Sequence, residues 1–165
     1  MERYELPKGW EWIRIGNEKY FTLIMGQSPP SSTYNIEGNG IPFFQGKADF
    51  GELHPVAKIY CSVPNRIAKR DDVLISVRAP VGPTNLADRE CCIGRGLAAI
   101  RCKNGVIPKY LLYALRNIEN DIAGLVQDQS GGFTAIKRDQ LAVIEIPIPP
   151  LAEQKRIVAR IEELT

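Results

Sequence analysis

Apolar positions come in short runs separated by polar, Gly/Pro-punctuated stretches until about residue 107, then switch to a helical period. The two most continuous runs are Val73–Val77 and Leu97–Ile100. β-branched residues dominate the first, and both are predicted to be buried strands. Between them lie Arg78, Thr84, Asn85, Asp88, Arg89, Glu90 and Arg95, interrupted by the helix-blocking stretch Ala79–Pro83. This pattern predicts a rigid sheet edge that displays guanidinium and amide groups. Tyr20–Met25 is a further strand. Ile41–Gln45 is a short one, with Pro42 near its start as a sheet edge tolerates. Ile59–Val63 is a weak strand, and the mixed charges of Asn65–Asp72 predict a solvated turn. Trp10 and Trp12 alternate with Glu11 ahead of Ile13 and Ile15. Core packing is the expectation for both rings, and base stacking is the functional alternative.

Beyond Asn104-Gly105 the period changes. Pro108 suits a first helical turn, and Leu111, Leu112, Leu115, Ile118 and Ile122 form one stripe on a 3.6-residue repeat, ending near Gly124. Residues 127–134 read as a flexible polar loop. Val143–Ile146 reads as a strand stopped by Pro147–Pro150. Leu151–Leu164 is rich in helix formers, with Ile157, Ile161 and Leu164 on one seam flanked by Leu151 and Val158, as in the first heptads of a coiled coil. The helix carries no terminal cap signal and reads as cut rather than finished. The expected organisation is a compact domain over residues 1–147 and a projecting helix over 148–165. The fold class is α/β in the mixed α+β sense.

Length and composition set limits without naming a function. The 165 residues suit one domain, and 44% apolar content is enough for a core. A net charge of +2 does not by itself argue for nucleic acid. Cys61, Cys91, Cys92 and Cys102 have no C-x-x-C spacing, and His54 is the only histidine, so no metal site is expected and reduced thiols are. With one histidine beside Pro55, a Ser–His or Cys–His nucleophile is not expected either. Gly94-Arg95-Gly96 resembles a fragment of a phosphate-cradling loop but lacks the Lys-Ser/Thr and the following helix. The rival reading, a nucleotide-using enzyme built on this turn, is therefore disfavoured. A tight turn displaying one guanidinium is the better account. No apolar run has membrane length and no signal-like start is present, so the expectation is cytoplasmic.

Several segments together resemble one family. They are Ile41–Phe50 (IPFFQGKADF), Asp72–Gly82 (DVLISVRAPVG), Cys92–Ile100 (CIGRGLAAI), Thr134, Leu141 and Ile146–Ile157 (IPIPPLAEQKRI). The family is the DNA specificity subunit of type I restriction–modification enzymes. The resemblance implies a target recognition domain with a twisted, barrel-like mixed sheet and packed helices. It implies readout of one half of a split target in double-stranded DNA, with no catalysis and no cofactor in this chain. Methyltransferase subunits carry S-adenosylmethionine and modify adenine, and a restriction subunit, reached indirectly, cleaves using ATP. The terminal helix implies a spacer that docks the methyltransferase subunits through Leu151, Ile157, Val158, Ile161 and Leu164. A complete subunit of the family has two recognition domains, so the partner expected here is a second domain or a second copy of this chain. The alternatives are a truncated chain, a half-subunit that dimerises and a recognition domain of a fused restriction–methylation enzyme. A protein-only adaptor remains as a third class. Exposed polar residues on loops around a rigid sheet supply the candidate contacts. Lys47, Arg89 and Lys137 or Arg138 are assigned to phosphates, and Gln27, Gln45, Arg78, Arg95 and Thr134 to bases. An ion pair from Arg78 to Asp72 or Asp88 is the structural alternative for that residue.

Overall fold

The computed structural model describes residues 3–126 and 134–165. Strands β1 (Glu11–Arg14), β2 (Phe21–Met25), β3 (Tyr34–Asn35), β4 (Ile41–Phe44), β5 (Tyr60–Cys61), β6 (Ile67–Ala68), β7 (Val73–Ser76), β8 (Thr84–Leu86), β9 (Cys91–Ile93) and β10 (Leu97–Cys102) come first. Helices α1 (Pro108–Asn117), α2 (Glu119–Gly124) and α3 (Arg138–Ala142) follow, then strand β11 (Glu145–Ile148) and helix α4 (Leu151–Glu163). Three open sheets result, ordered β2-β10-β7-β8, β3-β5-β4-β9-β6 and β1-β11. None of these orders closes into a ring among the described residues. The architecture is mixed α/β.

The period of two along β10 divides the core. Ala98 and Ile100 face a large cluster that includes Val73, Ile75 and the buried leucines of α1. Leu97 and Ala99 face Leu74, Phe44, Ala68 and Ile93, which belong to the space between the two larger sheets. The four-stranded sheet is therefore covered on both faces. That is why Val73–Val77 and Leu97–Ile100 read as unbroken apolar runs rather than alternating ones.

Several expectations change on contact with the fold. β4 is not an edge strand: it lies between β5, antiparallel, and β9, parallel. Pro42 is tolerated because β5 pairs with Ile41-Pro42 while β9 pairs with Phe43-Phe44, so the missing N–H falls where no ladder runs on that side. The span Asn65–Asp72 contains β6, and Asp72 is buried rather than solvated. Thr84 and Asn85 are not displayed; they form β8 at 4% and 1% exposure, and the Asn85 amide brackets Gly51 by donating to its carbonyl and accepting from its N–H, both at 3.0 Å. The stripe after Pro108 breaks at Ile118 into α1 and α2. Val143 is exposed and precedes its strand, which runs through Pro147 instead of stopping there and pairs with β1. Residues 127–133 of the loop expected before Thr134 lie outside the described residues.

Helix α4 packs on the domain along one face. Val158 is buried in the main core and Ile157 packs partly against it. Gln154 is 1% exposed. Its Oε1 accepts from the Ile107 N–H at 2.8 Å, and its Nε2 donates to the Gly105 and Pro149 carbonyls at 2.8 and 3.0 Å. Ile107 precedes α1, so one buried amide ties the starts of two helices together. β11 extends to Ile148, across the position at which the sequence divides domain from helix.

Candidate nucleic-acid interface

Three chain segments converge on one open cleft of about 860 Å³. The C-terminal end of β4 leads into Gln45 and a short 3-10 turn, Lys47–Asp49. The C-terminal end of β7 leads into Arg78, and Arg95 precedes β10. Gln45, Lys47, Arg78 and Arg95 all line this cleft and all are exposed. The four were named from scattered positions in sequence, and the fold brings them together. Among the described residues, no salt bridge uses Lys47, Arg78 or Arg95. The expected alternative for Arg78 is thus corrected: Asp72 is bound by Arg101, whose Nε and Nη2 donate to its two oxygens at 3.0 and 2.8 Å.

Buried groups hold the cleft in shape. Ser76, 2% exposed, directs its hydroxyl at the Arg78 and Pro80 carbonyls, at 3.0 and 2.7 Å. The Asp49 carboxylate, which also lines the cleft, accepts from the Gln45 N–H at 2.8 Å and closes that turn. The Ser28 hydroxyl accepts from the Arg95 N–H at 3.3 Å. The Gly96 carbonyl accepts from the Val77 N–H at 2.9 Å. A Cβ on Gly96 would lie 2.2 Å from the Gln45 carbonyl oxygen, and one on Gly94 would meet Ser28 and the Phe43 ring. Gly94-Arg95-Gly96 is therefore a close-packed strand-to-strand turn, with β10 and not a helix after it. A phosphate cradle would need that missing helix start.

The other named residues are placed differently. Thr134 accepts from the Ala79 N–H at 3.0 Å and begins a segment that bridges to Arg78 through Ala135. It flanks the cleft without lining it. Gln27 is exposed, with its Oε1 accepting from Arg66 Nε at 3.4 Å. Arg89 lies outside the cleft lining, over the Tyr60 ring at 5.9 Å. Arg138 Nη1 donates to the Leu23 carbonyl at 2.8 Å, which ties it to β2. Lys137 is exposed at the start of α3. Trp10 and Trp12 are half-buried; their Nε1 groups donate to Glu153 and to the Tyr4 carbonyl, and both rings line a separate cleft that shares no lining residue with the first. Along α4, Ile157 and Ile161 are half-buried, Val158 is buried, and Leu151 and Leu164 are exposed. Sequence reasoning missed Ser76, Ser28 and Asp49. Only the glycine pair around Arg95 left a signal of close approach.

Among the described residues, the cleft is lined by no histidine or cysteine. Burial, with Asp72 adding to it, pushes the Cys91 and Cys102 thiols up to about 12, so both stay protonated at neutral pH. No helix among the described residues is long and apolar enough to cross a membrane.

The chain is similar in sequence and fold to known proteins. The family model for the type I restriction modification DNA specificity domain matches residues 7–165. A Methanocaldococcus jannaschii protein provisionally named the type I restriction enzyme MjaX specificity subunit is 48% identical over 163 residues, covering 97% of this chain and 37% of its own length. The HsdS subunit from Thermoanaerobacter tengcongensis superposes with a TM-score of 0.85 at 52% identity, covering 97% of this chain and 38% of that one. A chain from a structure of complex assembly and conformational transition of the type I R-M system gives 0.88 at 53%, covering 98% of this chain and 39% of that one. The chain thus spans well under half the length of these relatives. The chain belongs to the family of type I restriction–modification DNA specificity domains.

Proposed function

We propose that this domain binds duplex DNA across the cleft formed by Gln45, Lys47, Arg78 and Arg95 and reads one half of a bipartite target. The single observation that carries the reading is the convergence of these four exposed side chains, three of them cations in no salt bridge among the described residues, on one rigid concave surface. Arg guanidinium and Gln amide groups suit bidentate bonds to guanine and adenine edges, and Lys suits a phosphate. The domain makes and breaks no covalent bond. S-adenosylmethionine and ATP belong to methyltransferase and restriction subunits, which act on DNA that this domain selects in the cytoplasm. Helix α4, through exposed Leu151 and Leu164 and half-buried Ile161, docks the methyltransferase subunits. The other half-target is read by a second recognition domain or a second copy of the chain.

The test is a methyltransferase complex reconstituted with alanine variants. Arg78→Ala or Arg95→Ala relaxes the methylation preference at one base pair by about 1–3 kcal/mol, while Lys47→Ala weakens all duplexes alike. If none of the three changes either affinity or preference, the cleft is not the DNA-binding surface.

A further inference from the structure

Gly96 is the point at which the three segments of the cleft touch. It follows Arg95 in sequence. Its carbonyl accepts from the Val77 N–H at 2.9 Å, one residue from Arg78. Its Cα faces the Gln45 carbonyl so closely that a Cβ would stand 2.2 Å from the oxygen and 3.5 Å from the Gly46 Cα. The obstructing atoms are backbone, so no side-chain rotation relieves such a contact. We infer that Gly96 is a positioning residue that sets the spacing of Gln45, Arg78 and Arg95, and hence the sequence preference of the cleft. Ser76 shares this role from beneath, since its buried hydroxyl fixes the carbonyls on either side of Ala79.

A methyl group on Gly96 moves the Gln45–Lys47 segment away from the two arginines without removing any side chain that faces DNA. The charge of the cleft is unchanged, so non-specific attraction persists. Base readout depends on the relative placement of donors and is lost. This inference rests on the assignment of the cleft to DNA, and the experiment separates the two.

Gly96→Ala and Ser76→Ala are placed in the reconstituted methyltransferase complex beside Arg78→Ala, Arg95→Ala and a distant control. The control is Glu18→Ala, an exposed residue of the turn between β1 and β2 that lines no part of the cleft. Readouts are the ratio of methylation rates on the preferred target and on single-base variants, the salt dependence of binding, and the thermal midpoint of the complex. The expected result for both positioning variants is a fall of about tenfold or more in the rate ratio, corresponding to about 1.4 kcal/mol. The salt slope stays at that of the unsubstituted complex, and Glu18→Ala changes nothing. If the arginine variants weaken recognition while Gly96→Ala and Ser76→Ala keep the full ratio, the positioning role is overturned and the cleft assignment stands. If all four leave recognition intact, the cleft assignment fails as well. Should Gly96→Ala fail to assemble, Ser76→Ala decides alone. Loss of assembly in both overturns the inference in favour of a purely structural role.

Discussion

Asp72 shows how far a residue's neighbours in sequence can mislead about its place in the fold. It follows Lys69, Arg70 and Asp71, and that run predicts a solvated turn. The side chain is instead 1% exposed, clamped by both arms of Arg101 and by the Lys69 N–H at 2.8 Å. The partner lies 29 positions away on β10, and no local pattern announces it. Arg101 keeps about a third of its side chain in solvent, so removing the carboxylate strands only part of a charge. Asp72→Ala is expected to lower unfolding stability by about 2 kcal/mol, the scale of lost hydrogen bonds to a charged group. Urea denaturation measures it; an unchanged midpoint would show that the pair contributes nothing net. The same contrast holds at the cleft. Arg78 and Arg95 were legible as displayed cations because each borders a Gly- or Pro-rich turn, but Ser76 was not. A serine inside an apolar strand looks like a mere interruption until its two carbonyl partners are known.

At the scale of elements, long patterns were readable and short ones were not. β7, β10, α1 and α4 follow from runs and periods in the chain. β3, β5 and β6 are two-residue strands fixed by their neighbours, and α3 is too short for a period to show. The helix after Pro108 breaks at Ile118, although the apolar stripe continues through Ile122, because the stripe reports burial and not backbone continuity. Helix α4 was legible as amphipathic, but its apolar seam serves two surfaces. Val158 is turned into the domain, and Leu164 faces outward at 70% exposure. This division yields a paired prediction. Ile161→Glu with Leu164→Glu should leave the domain folded and abolish co-elution with methyltransferase subunits in size-exclusion chromatography. Val158→Glu should instead destabilise the domain itself, because it buries a charge without a partner. Retained assembly in the double variant would mean that the C-terminal turn of α4 is not the docking surface.

For the molecule as a whole, the sequence segments that carry the family resemblance are those that build the junctions. Ile41–Phe50, Asp72–Gly82 and Cys92–Ile100 supply the three walls of the cleft, and Ile146–Ile157 supplies the lock between β11, α1 and α4. Their proximity could not be read from the chain, since it depends on β4 lying beside β9 and β10 beside β7. Cations that form no salt bridge among the described residues, held on such a frame, should displace counterions from DNA. The most direct measurement is the salt dependence of duplex binding by the reconstituted complex, with and without Lys47→Ala, Arg78→Ala and Arg95→Ala combined. Each lost phosphate contact makes the slope of log K against log salt shallower by about 0.9. The triple variant is predicted to bind more weakly with a slope shallower by at least that amount. Equal affinity and equal slope would contradict the assignment of this cleft to DNA.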